Sequence, residues 1–198
     1  MSARRTPQQK RAIDKRNRIV EAGYKMFEQQ GYYNTNTTHI AKEAGVSIGA
    51  LYGYFPDKKA ILLEVLDMYV AKVYDGFYRL IAQFDLPEEM DALLIAVLDK
   101  SVEVHRDNQT MHEYLHALEY ADSDVGQKFM ELEQKATQEI TTLLEQSGYT
   151  VEDGYEHVHW AMSIVQSFAH EQVYGNHDYI DYTIMRDIGI RILKTIFT

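Results

Sequence analysis

The side chains best equipped for chemistry cluster in one stretch, HRDNQTMHEYLHALEY, residues 105–120. His112 and His116 are four apart, so on a helix they share a face, the geometry of two metal ligands. His105 or Glu119 could add a third. Neither an HExxH motif nor a thiolate accompanies the pair, so no metal is assigned and no cofactor is expected. No nucleophile–base–orienter set and no phosphate-cradling glycine loop can be found, which argues against an enzyme. A helical enzyme built on the histidine-rich middle is the competing reading. Turnover that depended on His112 or His116 would support it.

A second chemistry lies in the charge. Residues 1–59 hold 11 Lys/Arg against 5 Asp/Glu, a formal +6, and residues 60–198 hold 9 against 25, a formal −16. A basic front suits a polyanion, because neutralised phosphates release counterions. Double-stranded DNA is the expected partner. A helical adaptor docking an acidic protein is the third reading. Salt-dependent duplex binding, lost on Tyr52→Ala or Lys58→Ala, separates the two.

The elements that would position these groups are helical. The chain has 198 residues, no cysteine and three prolines, enough for one or two domains and a sizeable core. No apolar run is long enough to span a membrane, and the N-terminus lacks a secretory apolar segment. No membrane partner is therefore expected, and a cytoplasmic protein is. Apolar residues at helical spacing predict helices over about 8–30, 37–44, 47–55, 57–84, 88–106, 109–121, 124–147, 152–174 and 178–197. Gly31, Gly45, Gly148 and Gly175 punctuate them. The expected fold is all-α, with about nine helices.

Residues 36–55 form a helix-turn-helix candidate: two short helices joined by a turn at Gly45. Ser47 can cap the second helix. Ser47-Ile48-Gly49-Ala50 gives it a small end suited to close approach. Leu51 and Phe55, four apart, point back to a core, while Tyr52 and Tyr54 offer hydroxyls and Lys58 a charge at phosphate distance.

Over residues 18–66 the sequence resembles the TetR family of transcriptional regulators. The matching features are Phe27, Gly31-Tyr32, Thr35, Ile40-Ala41, Ala44-Gly45-Val46-Ser47, Gly49, Leu51-Tyr52, Tyr54-Phe55, Lys58 and Leu62. Beyond residue 66 the match is architectural only. The chain departs from the pattern at Thr37, usually aliphatic, at His39, usually acidic, and at Gly53, usually aromatic or polar. Gly49 and Gly53 together should cost the helix up to ~2 kcal/mol against alanine, leaving it mobile without DNA.

The resemblance implies a DNA-binding transcriptional regulator, a repressor by the family's usual mode, with a helix-turn-helix domain over 12–72 and an effector-binding and dimerisation domain over 73–198. It implies phosphate contacts from Thr37, Tyr52, Tyr54 and Lys58, and groove contacts from Thr38, Ser47, Ile48, Gly49 and Ala50. No Arg, Asn or Gln lies in the recognition helix, so shape readout and an N-terminal arm with Arg4 and Arg5 are expected to contribute. The resemblance further implies a small-molecule effector of unknown identity, with Met111, His112, Tyr114, Leu115, His116, Glu119, Trp160 and Tyr174 as lining candidates. Aromatics, Met and carboxylates there would suit an aromatic or cationic ligand. It also implies a homodimer, through Ala161, Val165, Phe168, Ile184, Ile188, Gly189 and Ile192.

Overall fold

The computed structural model describes residues 7–150, 152–175 and 177–197. Among the described residues there are nine helices: α1 (Pro7–Asn34), α2 (Thr37–Glu43), α3 (Ile48–Tyr52), α4 (Lys58–Ile81), α5 (Met90–Asp107), α6 (Gln109–Ala121), α7 (Ser123–Gln146), α8 (Gly154–Tyr174) and α9 (Tyr182–Ile196). The all-α expectation holds, and no described residue lies in a strand. No described helix is long and apolar enough to cross a membrane. Arg4 and Arg5 of the expected arm lie outside the described residues.

Packing does not follow the chain order. One compact unit runs through Val70 and takes in Thr110–Lys128; the other comprises Ala71–Gln109 and Phe129–Thr198. The physical reason is the apolar side of α6: Met111, Leu115 and Leu118 are buried, as is Val125 at the start of α7.

In the first unit the buried core is Ile19, Val20 and Phe27 of α1, Ile40 and Ala41 of α2, Leu51 of α3, Phe55, and Ile61, Leu62, Val65 and Leu66 of α4. Each of these side chains larger than alanine contributes roughly 1.5–3 kcal/mol by leaving water. Gly23 sets how closely α1 meets α4, since a Cβ there would stand 2.7 Å from the Ile61 side chain. The α1 helix is interrupted at Gly31, whose φ of 75° places it in the left-handed region. This is where the sequence put the helix end.

In the second unit α5, α8 and α9 enclose a core of Leu93, Leu94, Leu98, Val158, Val165, Phe168, Ala169 and Leu193. Arg186 grips Asp99 with two hydrogen bonds of 2.8 and 2.6 Å, tying α9 to α5. Lys194 to Asp91 at 2.5 Å ties the same pair of helices further along.

Candidate nucleic-acid interface

The site is built from two caps and a glycine turn. Asn36 accepts the His39 amide at 2.9 Å and starts α2. Ser47 accepts the Ala50 amide at 3.1 Å and starts α3. Between them Gly45 takes a φ of 63°, a left-handed conformation that costs a side-chain-bearing residue about 1–2 kcal/mol. The Val46 amide then returns to the Ala41 carbonyl at 3.0 Å and closes the turn. Ile40, Ala41, Ala44, Leu51 and Phe55 all point into the core. That leaves the opposite sides of the two short helices facing outward together.

The outward faces carry most of the residues expected to meet DNA. Thr38, Ser47, Ile48, Gly49 and Tyr52 are exposed, and Thr37, Ala50 and Tyr54 are half-buried. The Thr37 Oγ1 and the Tyr52 hydroxyl meet at 3.0 Å, which joins the start of α2 to the end of α3. Two hydroxyls at one point can share a phosphate oxygen as donors. Ile48 is 41% exposed, an apolar side chain held in water on a five-residue helix. A Cβ on Gly49 would meet nothing within 4 Å, so nothing in the protein's own packing requires glycine there. Ser47 Oγ is already an acceptor in the cap, which leaves its O–H as the donor. The helix itself is shorter than expected and ends at Tyr52, where the Gly53 amide caps the Ala50 carbonyl at 3.2 Å.

Lys58, expected at a phosphate, has partners within the protein. Its ammonium donates inward to the carbonyls of Tyr32 and Thr35, at 2.6 and 2.8 Å, and lies 4.1 Å from the Tyr32 ring centroid. Burial pulls its pKa below the ordinary lysine value. In this structure it holds the end of α1 and the link to α2.

Two contacts of the site had little or no sequence signal. Arg16 lies 5.3 Å from the Phe55 ring centroid and pairs with Glu64. Thr35 is buried, and its hydroxyl donates to the Gly31 carbonyl at 2.9 Å and the Met26 carbonyl at 3.2 Å. Asn36 as a cap was legible, because a cap residue precedes the first periodic apolar position by a few residues.

The expected effector residues divide between the two units. On α6, in the first unit, Met111, His112 and Leu115 are buried and Tyr114, His116 and Glu119 half-buried. The His112 and His116 rings lie 4.2 Å apart, and His116 Nδ1 is 2.8 Å from the Glu119 carboxylate. Burial raises the Tyr114 pKa, and the nearby Tyr24, Glu28 and Tyr69 raise it further. On α8, in the second unit, Trp160 is 62% exposed, whereas Tyr174 packs against His170 at 4.8 Å. The second unit also holds a cleft of about 470 Å³ between α5, α8 and α9, walled by Phe168, Tyr182, Arg106 and the Arg186–Asp99 pair. None of the eight expected lining residues borders it.

The expected dimer residues also divide, here by burial. Ala161, Val165, Phe168 and Gly189 lie inside the chain's own core, whereas Ile184, Ile188 and Ile192 are 58%, 42% and 46% exposed along one side of α9.

Comparison with known proteins finds relatives for this part of the chain. The family described as bacterial regulatory proteins, tetR family, matches residues 19–65. The chain is 35% identical over 94 residues to YuxN of Bacillus subtilis, an HTH-type transcriptional regulator, covering 48% of this chain and 32% of that protein. It is 31% identical over 120 residues to the HTH-type transcriptional regulator AcrR of Shigella flexneri, covering 60% and 55%. These relatives are transcriptional regulators rather than enzymes. The matches span from a third to just over half of the relatives' own lengths. In fold, a TetR-family regulator from Mesorhizobium loti superposes with a TM-score of 0.73 at 16% identity, over 94% of this chain and 96% of that one. A transcriptional regulator from Saccharomonospora viridis, solved with choline, gives 0.62 at 19% identity, over 90% and 95%. Residues 19–65, which hold the helix-turn-helix, thus match the tetR family model, and the chain as a whole has the all-helical fold of solved regulators of that family.

Proposed function

We propose that the protein is a cytoplasmic, homodimeric transcriptional repressor that leaves its operator when a small molecule binds. The DNA-reading part is residues 12–72, and residues 73–198 provide effector binding and dimerisation. The observation that carries the reading is the outward face shared by α2 and α3. Thr37 and Tyr52 meet there through their hydroxyls at 3.0 Å, beside the exposed Ile48 and the open Gly49. Thr37, Tyr52 and Tyr54 take phosphates. Ile48 touches a thymine methyl, Ser47 donates to a base edge, and Thr38, Gly49 and Ala50 allow the close approach.

Two such faces are needed to read a symmetric site, which requires a dimer. Ile184, Ile188 and Ile192 recur every four residues on α9 and stay in water in the single chain. A second copy covering them would supply the two-fold. Ala161, Val165, Phe168 and Gly189 support that face from within. Release follows from linkage: an effector that binds one arrangement of the dimer more tightly shifts the population away from the one that fits DNA. A cleft of about 470 Å³ in the second unit is large enough for a small ligand. The eight residues on α6 and α8 remain candidates for effector recognition. The choline bound to the Saccharomonospora viridis regulator makes a cation a reasonable first probe.

Selection of bound duplexes from a random pool by purified protein, followed by titration at rising salt, tests the reading. A symmetric consensus, and log Kd rising linearly with log salt, is the expected result. Binding that ignored both sequence and salt would rule it out.

A further inference from the structure

The cleft of about 470 Å³ in the second unit is lined by charges that do not all cancel. From α5 it takes Asp99, Val102, Glu103, Arg106 and Asp107, residues that share one side of a helix. Two of the carboxylates are matched. Asp99 accepts from two nitrogens of Arg186, which lines the cleft from α9, at 2.8 and 2.6 Å. Glu103 accepts from the Lys100 ammonium at 3.0 Å. Arg106 and Asp107 remain. Both are exposed, and among the described residues neither side chain has an ion-pair or hydrogen-bond partner. Adjacent residues of a helix do not face each other, so this cation and this anion stay separate.

Asp107 is also placed against its own helix. It is the last residue of α5, where the helix dipole disfavours a negative charge. No contact among the described residues offsets that. The rest of the lining is mixed. Val102 and Phe168 are buried apolar side chains. Gln172 of α8 and Thr183 of α9 add an amide and a hydroxyl.

The cleft is separate from the face proposed for the dimer. Tyr182, Thr183 and Arg186 are the α9 residues that line it. At about 100° per residue they lie on the opposite side of α9 from Ile184, Ile188 and Ile192. A second copy seated on the isoleucines would leave the cleft open.

We propose that this cleft binds a small zwitterion with an apolar body, the class of the free apolar amino acids. Arg106 takes the carboxylate, which its planar fork fits. Asp107 takes the ammonium, and Val102 and Phe168 cover the apolar part. A ligand of one sign would leave one of the two charges desolvated without a partner. The inference deepens the effector reading above; it rests on that reading for its consequence at DNA and not for the binding itself.

Calorimetric titration of the full chain tests it, with L-phenylalanine and L-leucine as probes. Phenylpropionate and isocaproate are the same molecules without the ammonium, and phenylethylamine and isoamylamine are those without the carboxylate. At least one amino acid should bind with a Kd below about 1 mM. It should bind at least tenfold more tightly than either of its analogues. Arg106→Gln should erase the preference over the amine, and Asp107→Asn the preference over the acid. Asp107→Asn should also raise the Tm of the free protein, because it removes a charge from the wrong end of α5. A lower Tm would show that the carboxylate serves the fold, and would overturn its assignment to a ligand.

No binding by either amino acid would overturn the proposal. So would an analogue of one sign that matches its amino acid, or binding that both variants leave intact. Both side chains are exposed and unpaired among the described residues, so circular dichroism should show both variants folded. The amino acid that binds is then added to a duplex selected from a random pool by the wild type. Release of the duplex supports the effector reading. Unchanged duplex affinity at saturating amino acid would defeat that reading, while the calorimetry still decides the cleft.

Discussion

Tyr52, Thr37 and Gly49 are where single atoms decide what the interface can do. The Tyr52 ring is half in water and its hydroxyl is shared with Thr37 at 3.0 Å. Tyr52→Phe removes one oxygen and leaves the fold's buried contacts in place. Hydrogen bonds to charged groups are worth about 1.5–3 kcal/mol, so duplex affinity should fall at least tenfold, with an unchanged circular-dichroism melt. Gly49 makes a converse prediction. Its Cβ position is empty within 4 Å, so Gly49→Ala should stabilise the short helix by up to about 1 kcal/mol. A higher Tm together with weaker DNA binding is the expected pair of results. A higher Tm with unchanged affinity would show that nothing approaches this face closely.

At the scale of elements, α2 and α3 are too short to stand alone, at seven and five residues. Isolated helices below about 12 residues are marginal in water. Their caps and the core beneath them hold them in place. Asn36→Ala and Ser47→Ala should each cost about 1 kcal/mol, read as a lower midpoint in urea. Gly23→Ala acts between elements: with Ile61 2.7 Å from the new methyl, α1 and α4 must separate, and a loss of about 1–3 kcal/mol is expected from overpacking. The α6 helix was legible as a helix from its spacing. Its packing with the first unit was not, because an apolar stripe such as Met111, Leu115 and Leu118 records that something covers it but not which element does.

For the whole molecule, the exposed isoleucines of α9 carry the prediction. Ile188→Glu adds a charge to a side chain already 42% in water in the single chain, so the monomer should fold normally. Light scattering should then show loss of the proposed dimer, and operator binding should weaken by more than tenfold. Ala161, Val165 and Phe168 make poor tests of the same idea, since they fill the chain's own core and truncating them unfolds it. The same stripe of α8 and α9 residues served both the fold and the proposed dimer in sequence. Burial separated the two uses.

The sequence by itself determined the helices, their order, and the family that residues 18–66 resemble. Helical periodicity, glycine stops and cap residues act locally, so a chain read without its fold still records them. It also determined which side chains of residues 36–55 face the core, because two short helices of known spacing have only one apolar side each. Only the tertiary structure decided what the ionic and polar side chains are bound to. Lys58 reaches a link 23 to 26 residues earlier, and Lys59 a corner 63 to 65 residues later. An ammonium on four flexible carbons has no preferred sequence distance, so its partner is set by where the fold brings carbonyls and carboxylates together.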